Sequence, residues 1–510
     1  MPADATGRLF ARGLDEITDL YIEPVSNRKL VLAGAARLAR LDSKFRLAES
    51  PAPGGGTALV LSYDGREVGL HPAPAEDAGH DWGEVVSQLI GDAKRVSPKL
   101  ATLSDEELDK AVFDGMTGTL DRFSRYASPE TARDQRAARD GFGGIGITLD
   151  ATNDELRVTA VSPHGPADRA GIKAGDKLLA VDGMTTAGRS QTDVIRQLRG
   201  PIFSTVEVTI ARGAVSGTRR LKLQRELIVM PTVKVTRDGQ IAVIQIASFN
   251  QNTTQRVVDS LQEAQRQAGS RLAGVVLDLR SNPGGLLDQA VSLADVFVRE
   301  GPIVSTVGRH PASRQFFAAT GDGIAPRLPV VVLIDGGSAS AAEIVAAALQ
   351  DRGRAVVIGS SSYGKGTVQT VVRLPNDGEL TLTWARLVAP SGYLLNQHGV
   401  VPTLCTSDLG DDDRSLQLGL QRASRLASAR QRAGLDEPGW SDLRGSCPGR
   451  HGEHDIDLKL AERVLQDPAL YAQTVHAAAG QSVATTAPQA ATIAEPALTG
   501  VGGALSSGIR

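Results

Sequence analysis

The sequence predicts a multidomain α/β chain of α+β arrangement, and three observations predict it. Between residues 239 and 390, runs of Val, Ile and Leu alternate with helical segments, the pattern of strands covered on both faces. Between 141 and 228, short alternating strands separated by glycine turns mark a distinct β-rich module. Ahead of both, Leu9, Leu14, Ile17, Leu20 and Tyr21 recur at helical spacing. A length of 510 residues suits two to four domains, and an apolar fraction of 41% is enough to build their cores.

Taken in order, residues 1–140 read as a mostly helical N-terminal domain, with helical pattern over 8–48. The segment from Leu30 through Leu38 to Phe45 is echoed by Leu108 through Met116 to Ser124, a weak internal repeat. Between the two copies, Thr57 to His71 alternates like a hairpin turning at Asp64-Gly65. Residues 72–94 read as a polar, proline-containing connection. The β-rich module, 141–228, opens with Gly144-Ile145-Gly146-Ile147 and has strands at 156–161, 177–181 and 206–211, with a helix at 191–198. The α/β core, 229–405, has strands at 241–246, 274–279 and 329–334 and helices at 286–298 and 340–350. Asp377-Gly378 turns a hairpin joining 368–374 to 380–384. Residues 406–476 are polar and helical. The Ala, Thr, Gly and Ser tail, 477–510, has too little apolar surface to fold, so disorder is expected there.

Charge and composition exclude some functions. A net charge of −3 argues against nucleic-acid binding, which needs a basic surface. No run reaches the roughly 18–20 apolar residues that span a bilayer, so no transmembrane segment is expected. Met1 to Phe10 lacks the apolar stretch of a signal peptide. The chain is therefore expected either to be cytoplasmic or to begin after a removed leader. Cys405 and Cys447 form no C-x-x-C pair; they are either two separate thiols or one disulfide in an oxidising compartment.

Three segments carry chemistry. The strand ending at Ile334 runs through Asp335-Gly336-Gly337 into Ser338-Ala339-Ser340-Ala341-Ala342-Glu343 and an Ala-rich helix. That turn would expose the Ser340 hydroxyl beside free N–H groups at a helix start, with Ala341 N–H suited to an oxyanion. Serines in such positions also serve as simple N-caps. A serine nucleophile needs a base. None of the eight histidines sits in a triad motif, and His451 and His454 read as surface residues. Lys365, inside Gly364-Lys365-Gly366, is the candidate: burial disfavours its charged form and could leave a neutral amine. Gln369 stands four residues on, where it could orient the amine. The third segment, Asp278 to Gly285, ends a core strand in Gly284-Gly285, whose N–H groups could meet a carbonyl oxygen.

Together these residues resemble the carboxyl-terminal processing peptidases, also called tail-specific proteases. The resemblance runs from about residue 14 to about 470, with six pieces in the family's order. They are Gly115-Met116 to Ser124, Gly144 to Ile147, Ser162-Pro163 to Gly183, Asp278 to Gly285, Gly337 to Glu343, and Gly364-Lys365-Gly366 with Gln369. Ala342 stands where the family often has serine. The resemblance implies a ClpP/crotonase-like α/β core with an inserted PDZ domain. It also implies a serine endopeptidase that cleaves near protein C-termini. Ser340 would be the nucleophile, Lys365 the base and Gln369 its orienting partner, with Ala341, Gly284 and Gly285 at the oxyanion. Gly144, Ile145, Gly146 and Ile147 would hold the substrate's C-terminal carboxylate by strand addition. No cofactor or metal is implied. Partners would be protein substrates held by their tails, with room for an adaptor protein and a homo-oligomer, and the location would be the periplasm or cell envelope. The rival readings are a catalytically inactive PDZ-bearing scaffold and a His-Asp-Ser protease; no G-N-S-G-G-like motif supports the latter.

Overall fold

The computed structural model of the chain describes residues 5–52, 55–152, 155–213, 216–321, 323–325, 327–407, 409–410, 412–433, 437–451 and 455–479. Its central sheet has six strands, in the order Val233–Asp238, Ile241–Ile246, Gly274–Asp278, Val330–Ile334, Val356–Gly359 and Leu404–Cys405. The first pair is antiparallel and the other four pairings are parallel. Because side chains alternate across a strand, each strand needs cover on both sides. Ala242, Ile244, Leu277, Val332 and Ile334 face the helices Thr253–Ala268, Leu287–Phe297 and Ala341–Asp351. Val243, Val276, Val331, Leu333 and Ile358 face Leu416, Leu420, Leu460 and Val464. Those last residues come from the helices Asp413–Ala433 and Asp455–Gln466, so the polar C-terminal segment is the second layer of the core.

A second sheet runs Gln315–Ala318, Pro302–Val307, Glu379–Val388, Thr367–Arg373, and its long strand also pairs with Arg125–Ala127 from the N-terminal region. Parallel strands present their loops at their C-terminal ends, where α/β sheets bind ligands. Here the three loops after Asp278, Ile334 and Gly359 emerge side by side.

The β-rich module is a five-stranded path, Ser216–Gln224, Thr205–Arg212, Lys177–Val181, Glu155–Val161 and Ile147–Thr152, closed by the helix Gln191–Leu198. The helix Pro129–Asp140 stands between module and core. Its Glu130 and Asp134 pair with Arg196 of the module helix and with Arg199 just past its end, while Arg136 and Arg139 pair with buried Glu379 of the core hairpin.

Two N-terminal readings need correction. The helical pattern over 8–48 is two helices, Ala5–Leu20 and Asn27–Ala39, followed by a strand from Phe45 to Pro51; the chain turns between Arg40 and Lys44. Residues 72–94 are not merely a connection. They contain the helix Gly79–Val96, whose Trp82, Val85, Val86, Leu89, Ile90 and Ala93 form one buried stripe. Gly83 belongs to that contact: a side chain there would lie 2.5 Å from the backbone of Ala11. The expected hairpin is present, with Asp64 and Gly65 both at positive φ in the turn, as a two-residue connection requires. The two copies of the weak repeat pack on each other, Gly115 against Gly34. The disorder expected for the tail falls almost wholly on 480–510, outside the described residues; Ala477 to Ala479 end the helix Pro468–Ala479.

Phe113 is fully buried at the centre of this N-terminal core, its ring 4.7 Å from Phe10 and 4.6 Å from Tyr126. Phe113→Ala should cost about 3–5 kcal/mol, by transfer and cavity together. Denaturant unfolding checks this, and a loss below about 1 kcal/mol would contradict the packing described.

Candidate active site

The turn that carries Ser338 and Ser340 is built from buried polar contacts. Ser338 is fully buried; its Oγ donates to Leu279 O at 2.8 Å and accepts from Asp335 N at 2.9 Å. The first serine of the motif is therefore an anchor. Asp335 Oδ1 accepts from Ser281 N at 2.7 Å and Gly337 N at 2.9 Å, which ties the turn to the neighbouring loop. The second serine, Ser340, sits at φ 54° and ψ −113°, a conformation that costs a non-glycine residue on the order of 1–3 kcal/mol. Its neighbours hold it there: Ala339 N donates to Asn282 O at 2.9 Å, and Ser340 N donates to Glu343 Oε2 at 2.7 Å.

Glu343 joins this turn to the lysine loop. It is fully buried, and it accepts from Ser340 N, Ser362 Oγ (2.5 Å), Gly364 N (2.6 Å) and Lys365 N (2.9 Å). Burial pushes its carboxyl up, and these four donors oppose that shift. Tyr363 N adds a further link, donating to Ser338 O at 2.9 Å. Gly366 must be glycine, since a side chain would lie 1.8 Å from Asn396 N.

Ser340, Lys365 and Gln369 line one cleft of about 260 Å³, together with Gly285, Leu287 and Ile344. Within it the amine does not sit as the sequence suggests. Lys365 makes no hydrogen bond to Ser340 or Gln369 among the described residues. Its Nζ lies 5.0 Å from the centroid of the Phe123 ring. Gln369 Nε2 donates instead to Thr367 Oγ1 at 2.9 Å and Thr383 Oγ1 at 3.2 Å. An ammonium stripped of water gains from an aromatic face, which is the physical reason for this placement. Burial lowers the Lys365 pKa, Arg125 lowers it further, and Glu343 and Asp121 oppose them.

The oxyanion candidates also divide. Gly284 lies against Ser340, since a side chain there would fall 2.8 Å from Ser340 Cβ. Its N–H is already committed to Asn282 Oδ1 at 2.8 Å. Asn282 is fully buried and also donates to Ile246 O at 2.6 Å, so it fixes the loop. Gly285 lines the cleft, and Ala341 opens the helix, where N–H groups have no intrahelical partner.

Gly144, Ile145, Gly146 and Ile147 do not line this cleft. They open the β-rich module: Gly144 ends a short strand, Gly146 turns at φ 77°, and Ile147 starts the next strand. The Ile145 side chain is buried in the module's own core, and its carbonyl accepts from Ala167 N at 2.9 Å. Sequence reasoning did not find the roles of Glu343, Asn282, Phe123, Asp121 or Arg125. All but Arg125 lie inside motif pieces it had quoted, and that membership was the available signal.

Residues 240–405 match the model of peptidase family S41, and residues 157–212 match a PDZ domain. The chain is 38% identical over 314 residues to a carboxy-terminal-processing protease of Bartonella bacilliformis, covering 61% of this chain and 72% of that protein. It is 31% identical over 334 residues to a probable CtpA-like serine protease of Staphylococcus aureus, covering 62% of this chain and 66% of that one. Among solved structures, a photosystem II D1 C-terminal processing protease is similar at 25% identity and a TM-score of 0.40, covering 78% of this chain and 92% of that one. With a strained serine at a helix mouth, a lysine loop bound to the same carboxylate and a PDZ module ahead of both, the chain belongs to peptidase family S41, among the carboxy-terminal-processing proteases.

Proposed function

We propose that the chain cleaves proteins near their C-termini with a Ser340–Lys365 dyad, after its PDZ module captures the substrate tail. One observation carries the reading: a single buried carboxylate, Glu343, binds the backbone on both sides of the dyad, at Ser340 N and Lys365 N. The dyad's two loops are thereby held in fixed register around one cleft.

In this mechanism the Lys365 side chain turns from Phe123 toward Ser340 when substrate displaces water from the cleft. The ammonium, disfavoured by desolvation, first releases one proton to solvent, and the neutral amine so formed takes the Ser340 Oγ proton as Oγ attacks the scissile carbonyl. Ala341 N–H and Gly285 N–H receive the developing oxyanion, while Gly284 holds the backbone close. The ammonium returns the proton to the leaving amine, and water then hydrolyses the acyl-enzyme. Gln369 receives the amine in its working position, exchanging one of its threonine partners. Leu286, Leu287 and Ile344 give the cleft an apolar wall suited to an apolar residue before the scissile bond. The loop from Gly144 to Ile147 would bind the tail carboxylate, and the strand that follows would take the tail as an added strand. The Cys405–Cys447 disulfide supports an oxidising location such as the periplasm or cell envelope. An adaptor and a homo-oligomer remain parts of the family expectation.

The Lys365 amine on Phe123 favours a second reading, a PDZ-bearing protein that binds tails without cleaving them. Ser340→Ala decides between the two. Incubated with an envelope extract, wild type should create new protein C-termini, and the variant should lose on the order of 10⁴-fold activity or more while still binding tails. Equal turnover by both proteins would remove Ser340 from the mechanism. Failure of wild type to cleave, or to react with a serine-directed fluorophosphonate, would favour the binding protein.

Two further outcomes follow from the electrostatics. The rising limb of kcat/KM with pH reports the free base. Arg125 holds the Lys365 pKa down, so Arg125→Ala should raise that pKa. The limb should move to higher pH and activity at neutral pH should fall; an unmoved or downward-shifted limb contradicts Lys365 as base. Glu343→Gln replaces one acceptor with a donor facing donors. It should cost about 1–3 kcal/mol of stability and lower kcat by about 100-fold through misplacement of the dyad, as read by thermal unfolding and steady-state kinetics. Wild-type kcat in a folded Glu343→Gln protein would refute the tie.

A further inference from the structure

Residues 437–451 follow the family's sequence pattern loosely, yet they touch the loops that carry Ser340 and Lys365. The helix Glu437–Gly445 sets Trp440, 1% exposed, against Tyr393 (ring centroids 4.4 Å apart) and His398 (5.2 Å apart). One turn later, Arg444 reaches under the lysine loop. It donates from Nη1 to His398 O at 2.6 Å and from Nη2 to Ser362 O at 3.0 Å. A side chain at Gly399 would lie 2.6 Å from Arg444 Nη1, 2.7 Å from Ser362 Oγ and 3.1 Å from Glu343 Oε1. Arg444 and Glu343 therefore converge on Ser362, in the lysine loop that follows Gly359.

Beyond the helix, Cys447-Pro448-Gly449-Arg450 runs between the two active-site loops. Arg450 O accepts from Gly336 N at 2.5 Å, on the nucleophile side, and Arg450 N donates to Ser360 Oγ at 2.9 Å, on the lysine side. Gly449 packs close enough that a side chain would lie 2.9 Å from Ser361 O and 3.4 Å from Gly336 Cα. Asp457 then pairs with Arg280 of the oxyanion loop at 3.5 Å and with Arg450 at 3.6 Å. The Cys405–Cys447 disulfide closes the arrangement. It fastens the segment to the end of the last strand of the central sheet, and both cysteines are buried.

We propose that the disulfide-closed segment 437–451 is a strap that positions the dyad, and that Arg444 is its main positioning residue. The segment crosses the loops of Ser340 and Lys365 and makes one hydrogen bond to each from the same residue, Arg450. A displacement of one loop is therefore passed to the other. Arg444 holds the Ser362 carbonyl from below while Glu343 holds the Ser362 hydroxyl from within. Arg444 touches no reacting atom, so its loss should act through the loop's geometry. The inference rests on the Ser340–Lys365 reading and adds to it a requirement for the C-terminal segment.

The test uses the full chain with β-casein as substrate, a fluorophosphonate label for Ser340, and hydrogen exchange over residues 360–366. Arg444→Gln and the pair Cys405→Ala with Cys447→Ala should each lower kcat by about 10- to 100-fold, the scale of a roughly 1 Å misplacement. KM and the binding of an apolar-tailed peptide should stay within about twofold, because neither variant touches the PDZ module. Exchange over 360–366 should rise about tenfold or more while exchange over 330–334 stays at the wild-type rate. Arg444→Lys, which keeps a charged donor in reach, should recover part of the lost kcat. A variant with global loss of protection hands the decision to Arg444→Lys. If that protein is folded but exchanges and cleaves as wild type does, the second donor of the guanidinium is dispensable and the assignment of Arg444 fails. Wild-type kcat in folded Arg444→Gln, with Ser340→Ala inactive, overturns the strap alone. Full activity in Ser340→Ala overturns the dyad beneath it.

Discussion

A buried carboxylate with four hydrogen-bond donors is the constraint on which the site depends. Taking a charge out of water costs several kcal/mol unless its lone pairs are filled. Glu343 lies in the first turn of its helix and is filled by Ser340 N–H and by three donors from the lysine loop. Neither loop can move off without leaving that charge short of partners. Two residues 25 positions apart in the chain are thereby brought to one cleft. The same contact supports the left-handed backbone of Ser340, which would otherwise relax.

The rest of the fold delivers these loops. Parallel strands place the ends of Gly274–Asp278, Val330–Ile334 and Val356–Gly359 in adjacent register, and cover on both faces keeps them rigid. The hairpin Thr367–Arg373 and Glu379–Val388 forms the opposite wall of the cleft. Asp121 and Phe123 reach it from the N-terminal region, Asp121 by accepting from Thr383 Oγ1 at 2.7 Å. The resting place of Lys365 follows from this construction. A partly desolvated ammonium has an aromatic face on one side and the carboxylates of Glu343 and Asp121 nearby, and the Ser340 hydroxyl lies across the same cleft. Catalysis in this account includes a side-chain rotation, which costs far less than the rearrangement of either loop.

Much of this was legible in the residues. Unbroken Val and Ile strands announced a two-sided sheet, and the resemblance to the carboxyl-terminal processing peptidases pointed to Ser340 and Lys365 together. The helix Gly79–Val96 was hidden because its start is polar and glycine-rich, and two of its glycines are there for packing, not for turning. The C-terminal helices read as merely polar because each meets the sheet through a narrow stripe, Leu416, Leu420 and Ala423 on one and Leu460, Ala461 and Val464 on another. The role of Glu343 could not be read from spacing alone. A glutamate three residues into a helix is an ordinary capping residue, and its further partners come from a loop that only the tertiary fold brings near. The pairing of Cys405 with Cys447 was open for the same reason: a separation of 42 residues says nothing of where the chain returns.

The most direct measurement is a crystal structure of the Ser340→Ala protein with an uncleaved peptide lying in the cleft. Lys365 Nζ should leave the Phe123 ring and come within about 2.6–3.2 Å of where Oγ would stand. Glu343 should still accept from residue 340 N and Lys365 N. A peptide-filled cleft with the amine still on the ring, or with Glu343 detached from either loop, would contradict it.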